Sequence, residues 1–107
     1  MDNFLALAEP NRRRIIELIA ANGEMSSTDI SKEFDISAPA ISQHLKVLKE
    51  TGLLCMEKRA QQRIYKINAQ GVDEVWEWLG QMRKAWSSRF DALDALLLAE
   101  NNKQKGK

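Results

Sequence analysis

Residues 37–54 read SAPAISQHLKVLKETGLL, and the fold of the whole chain turns on this run. The Ser37 hydroxyl suits a helix N-cap, and Pro39 is tolerated in a first turn because its missing N–H would be unpaired there anyway. Thr51-Gly52 ends the segment. Between these signals Ile41, Leu45 and Leu48 recur at i, i+4, i+7, the stripe of a helix that buries one face. At about 100° per residue, Pro39, Gln43 and Lys46 fall roughly opposite that stripe, with Ser42 beside them. One side of the helix is made for a core and the other for a polar partner.

Upstream, Ser26 or Ser27 followed by Asp29, Ile30 and Phe34 predicts a short capped helix that stops near Asp35, joined to the first by the tight turn Phe34-Asp35-Ile36-Ser37. Further upstream, Phe4, Leu5 and Leu7, then Ile15, Ile16, Leu18 and Ile19, predict two more helices. Pro10 fits the first turn of the second, which ends at Asn22-Gly23. Downstream, Leu53–Lys58 and Arg63–Ile67 read as two short strands around a polar turn, residues 59–62. Two helices joined by a tight turn and followed by a basic hairpin form a winged helix-turn-helix, mainly α with a small β-hairpin wing.

That architecture places the 37–52 helix in a major groove of double-stranded DNA. Gln43 can pair in bidentate fashion with an adenine edge, Ser42 can donate or accept at several bases, and Pro39 lies on the same side. Lys46 and Lys49 suit phosphates, and Lys58, Arg59 and Arg63 of the wing suit phosphates or the minor groove. The charge distribution agrees. The formal net charge is only +1, but residues 37–67 carry six basic and two acidic side chains, while residues 1–36 and 68–101 are each acidic on balance. The alternative is an ordinary solvated helix face beside a hairpin edge protected by charge.

From Val72 to about Asn101 there is no proline, and Val72, Val75, Leu79, Met82 and Trp86 keep a 3-4 spacing that resumes at Phe90, Leu93 and Leu97. This predicts one long helix, with a break near Gly80 as the alternative. Its apolar face outruns any core that the first 67 residues could supply, so a second copy is expected to cover it. Phe4, Leu5, Val75, Leu79, Met82, Trp86, Phe90, Leu93 and Leu97 are the expected homodimer interface. Residues 1–101 then form a single domain, and 102–107 a disordered basic tail.

Several classes are set aside. A lone cysteine, Cys55, allows no internal disulfide, and as a strand residue it is expected buried or half-buried. No window approaches the ~18 apolar residues of a membrane span, and residues 1–8 carry no export signal, so a cytoplasmic protein without membrane insertion is expected. Ser42 and His44 point to different helix faces and form no nucleophile–base pair, Asp73-Glu74 reads as solvated charge, and no glycine-rich phosphate loop is present. No enzyme, cofactor or metal is expected. Trp76, Trp78 and Trp86 read as interface core before they read as a ligand pocket.

The runs Ala6–Ile16 (ALAEPNRRRII) and Ser37–Leu54, with Arg63-Ile64-Tyr65, resemble the arsenic-repressor (ArsR) family of bacterial regulators. The resemblance implies an autoregulating dimeric repressor whose first and last helices build the dimer interface. Two departures qualify it. Where metal sensors of the family carry Glu-Leu-Cys-Val-Cys-Asp-Leu, this chain has Glu24-Met25-Ser26-Ser27-Thr28-Asp29-Ile30, whose hydroxyls are poor ligands for soft metals, and the last helix has no His. At the wing tip the family's Gly and Arg residues give way to Ala60, Gln61 and Gln62, which suggests a looser or differently typed turn. The expected function is repression from a palindromic operator; the rival is a protein-interaction module built on the C-terminal helix.

Overall fold

The computed structural model describes residues 3–105, the side chains of Ser88, Phe90 and 101–105 excepted. The elements run α1 (Asn3–Leu7), α2 (Pro10–Asn22), β1 (Glu24–Ser26), α3 (Ser27–Lys32), α4 (Ala38–Glu50), β2 (Leu54–Arg59), β3 (Gln62–Ile67), α5 (Ala69–Ala85) and α6 (Ser87–Lys105). They fall into two compact units, residues 1–75 and 76–107.

In the first unit each helix begins and ends on a local device. Glu9 caps α2 by accepting from the Arg12 amide (2.9 Å), and Gly23 ends it at a φ of 85°. The Ser26 hydroxyl accepts from the Asp29 amide to start α3, and that of Ser37 accepts from the Ala40 amide to start α4. The predicted stripe Ile41, Leu45, Leu48 is fully buried, packed with Ile15 and Ile19 of α2, Ile30 of α3, and Leu53 and Leu54 after α4. This packing points one face of α4 inward and leaves Ser42, Gln43, Lys46 and Lys49 exposed.

The chain after the sheet returns to the end of α4. Asn68 donates through Nδ2 to the Gly52 carbonyl (2.8 Å), and Gly71 packs so closely there that a Cβ would lie 2.0 Å from the Gly52 oxygen. The first turn of α5 can only sit there with a bare Cα at residue 71.

Three expectations need correction. The hairpin is part of a three-stranded antiparallel sheet of order β1-β3-β2; β1 pairs Glu24 with Lys66 and Ser26 with Ile64, and its three residues are too short to show a period in sequence. The single long helix is two, α5 and α6, interrupted at Trp86 rather than near Gly80. Helix α6 continues through Lys105, four residues into the stretch read as a disordered tail.

In the second unit no described side chain from Trp76 to Glu100 is buried. Leu79, Met82 and Trp86 line an apolar groove of about 340 Å³ with Arg83, and the Arg89 guanidinium lies 4.3 Å over the Trp86 ring. Among the described residues no helix is long and apolar enough to cross a membrane.

Candidate nucleic-acid interface

Helix α4 and the wing enclose a cleft of about 270 Å³. Its lining is Ser42, Gln43, Leu45, Lys46 and Lys49 from α4, Met56, Arg63 and Tyr65 from the hairpin, and Ser27 from α3. Three cations converge here and no carboxylate lines the space. Among the described residues, the side chains of Lys46, Lys49 and Arg63 have no ion pair or hydrogen bond. Like charges gathered without a carboxylate beside them raise the local positive potential.

The wing divides its cations by face. In the β2–β3 register Lys58 stands opposite Arg63 and Met56 opposite Tyr65, so these four share the face that borders the cleft. Arg59, opposite Gln62, belongs to the other face. There its guanidinium pairs with the carboxylates of Glu24 and Glu57, and Lys66 lies 3.7 and 3.8 Å from the same two groups. Hydrogen bonds from Arg59, reinforced by its charge and that of Lys66, hold both glutamate carboxyls below the ordinary carboxylate value, and the two acids in turn raise the Arg59 pKa. Arg59, expected at DNA from the sequence, pairs here with these two glutamates and ties the wing to β1.

Residues 9–54 match the bacterial regulatory protein, arsR family. The transcriptional repressor SdpR of Bacillus subtilis is 33% identical over 76 residues, spanning 71% of this chain and 83% of its own. This chain belongs to the ArsR family. Arsenic resistance transcriptional regulator ArsR1 of Pseudomonas putida is 33% identical over 91% of this chain and 75% of its own. The crystal structure of a "possible transcriptional regulator for arsenical resistance" superposes with a TM-score of 0.74 at 34% identity, covering 89% of this chain and 95% of that one.

Other residues of this ArsR-family chain act as supports. Arg12 donates through Nε to the Ala6 carbonyl (2.7 Å), and Arg13 through Nη1 to that of Leu7 (3.0 Å), so these arginines cap the end of α1. Arg14 lies over the Phe34 ring and donates to the Glu33 carbonyl, bracing the turn into α4. His44 is half-buried, its Nδ1 3.4 Å from Arg12 Nη1 and 3.8 Å from a Glu9 carboxylate oxygen, a link between α4 and the start of α2.

Ser26, at the first thiolate position of the family's metal pattern, is buried and its hydroxyl caps α3. Among the described residues no three His, Cys, Asp or Glu side chains are grouped to hold a metal. Cys55, expected buried or half-buried, is exposed, because the register puts it on the Lys66 and Glu24 face of the sheet and not on the core face.

The wing turn is tighter than its composition suggested. Two residues, Ala60 and Gln61, join β2 to β3, and Ala60 takes a φ of 53°. The loss of glycine has not loosened the turn; it puts a side chain where glycine would be unstrained.

Of the expected dimer residues, Phe4, Leu5, Leu79, Met82, Trp86, Leu93 and Leu97 are exposed. Val75 is half-buried against the core of its own unit, and the side chain of Phe90 lies outside the described residues. Pro39 is exposed in the first turn of α4 and is not part of the lining of the cleft between α4 and the wing. Sequence reading missed Tyr65, Met56 and Ser27. The period-2 alternation from Arg63 to Tyr65 was the signal that could have placed Tyr65 beside the cleft.

Proposed function

We propose that the chain is a homodimeric transcriptional repressor that binds a palindromic operator, with α4 of each copy in successive major grooves. The observation that carries the reading is the cleft between α4 and the wing, where Lys46, Lys49 and Arg63 meet without an acidic partner beside the exposed Gln43 and Ser42. Cations in that setting suit phosphates, and an amide and a hydroxyl suit base edges. Repression is supported by relatives such as SdpR, itself a transcriptional repressor. Dimerisation is supported by the second unit, whose described large apolar side chains are exposed in the single chain. A two-fold pair would cover the same face on both copies and set the two α4 helices about one DNA turn, ~34 Å, apart.

Paired substitutions test the assignment on a duplex selected from a random pool. Gln43→Ala is expected to cost about 1–3 kcal/mol on the best site and to flatten preference at one base pair. Arg63→Ala is expected to weaken all sequences alike and to reduce the salt slope by about one unit. Exchanged behaviours would reverse the roles of helix and wing, and no salt-dependent DNA binding at all would favour a protein-interaction module.

A further inference from the structure

A second cleft adjoins the first, between α3 and the N-terminal half of α4. It encloses about 200 Å³ and is lined by Ser27, Thr28, Ser31, Ala38, Ile41 and Ser42. Ser27, Thr28 and Ser31 occupy i, i+1 and i+4 of α3 and so share one face. No charged residue lines the space. The charged pair of α3, Lys32 and Asp29, is exposed and closed on itself at 3.7 Å.

The four hydroxyls are uncommitted. Helical Ser and Thr hydroxyls often bond back to a carbonyl three or four residues earlier, and at helix starts they accept from backbone amides. Thr51 does the first, donating to the Val47 carbonyl at 2.9 Å, and Ser26 and Ser37 do the second. The hydroxyls of Ser27, Thr28, Ser31 and Ser42 have no hydrogen bond to any described residue. Ser27 and Ser42 also line the cationic cleft, so the two spaces form one band along α4.

We propose that this hydroxyl-lined cleft between α3 and α4 seats a backbone phosphate of the bound duplex, an uncharged contact beside the cationic one. The inference rests on the operator reading above. The three α3 hydroxyls of Ser27, Thr28 and Ser31, with no cation beside them, suit a group of acceptor oxygens, yet neutral hydroxyls compete poorly with water for a free anion. A phosphate already held on its strand by Lys46 and Arg63 arrives at high effective concentration, which removes that handicap. The first helix of a helix-turn-helix crosses the DNA backbone, and α3 is that helix. A hydroxyl displaces no counterion, so this contact adds affinity without adding to the salt slope.

The test uses the full chain and fluorescence anisotropy on the selected duplex over a series of salt concentrations. The double variant Thr28→Val/Ser31→Ala is expected to bind every duplex about tenfold more weakly, with the slope of log K against log salt unchanged. Thr28→Ser, which keeps the hydroxyl, is expected to bind like the parent and guards against a folding artefact, as do matched melting curves. Replacing single phosphates by neutral methylphosphonates should reveal one position per half-site that weakens the parent but not the double variant. Parent-like affinity in the double variant, a reduced salt slope, or a loss confined to one base pair would each overturn the proposal. A parent without salt-dependent DNA binding would sink the operator reading and this inference together; a binding parent with an equally tight double variant sinks this inference alone.

Discussion

Residues 3–75 and residues 76–105 both carry large apolar side chains on helices, yet only the first set has a core. Ile41, Leu45 and Leu48 are buried to within 1% of completeness, whereas Leu79, Leu93 and Leu97 are about half exposed. The difference lies in what surrounds each stripe. Helix α4 meets α2, α3 and a sheet of the same chain, while among the described side chains from Trp76 to Glu100 nothing is buried at all. Periodicity states that a face needs covering and is silent on whether the cover is intramolecular.

The sharpest way to break this comparison is to make one substitution in both regions. Leu45→Ala is expected to destabilise the first unit by about 2–5 kcal/mol, equally at every protein concentration. Leu97→Ala deletes the same atoms from an exposed site, so its cost is expected only in the dimer, as a fall in melting temperature relative to the parent that shrinks as dilution dissociates both proteins. Thermal melts at two concentrations check both. A concentration-independent loss at Leu97 as large as that at Leu45 would mean that α6 is buried by its own chain.

Much of the first unit was legible for local reasons. Caps and stops such as Ser37, Gly23 and Gly52 act within a few residues, and the stripe of α4 needs only its own register. Strand β1 was not legible, because Glu24-Met25-Ser26 becomes a strand only by pairing with β3. The role of Arg59 was hidden for the same reason. Its charge predicts a phosphate contact, but its place on the far face of the wing, within reach of Glu24 from 35 residues upstream, is a property of the sheet. Gln43, Lys46, Lys49 and Arg63 were legible as exposed polar positions, whereas the band of hydroxyls facing α4 required α3 and α4 to be brought together.

A smaller effect separates the two faces of the wing. Glu24 and Glu57 titrate below their ordinary value of 4.5 in the folded chain, so their contribution is present above that value and is lost as pH falls through the lowered folded values. Both carboxylates are exposed, and solvent screening keeps the effect modest. Glu24→Gln is therefore expected to blunt the acid sensitivity of melting below about pH 4.5 while shifting the melting temperature at neutral pH only slightly. An unchanged acid limb in Glu24→Gln would remove the strut role of Arg59.

The smallest expected change is at the wing tip. Ala60→Gly should stabilise the first unit by about 1 kcal/mol, because the left-handed conformation at this residue disfavours a Cβ. Urea titration of the two proteins checks the sign. Destabilisation would show that the Ala60 side chain contributes a contact outweighing its backbone strain.

Sedimentation and DNA titration of the full chain beside the charged variant Leu79→Asp/Leu93→Asp test most directly whether the second unit is one half of a dimer. The parent is expected to be a dimer at micromolar concentration and to bind a palindrome far more tightly than a single half-site. The variant is expected to keep the fold of the first unit, run as a monomer and lose that preference for the palindrome. A parent that sediments as a monomer, or a variant that holds the palindrome as tightly as the parent, would contradict the dimeric mechanism.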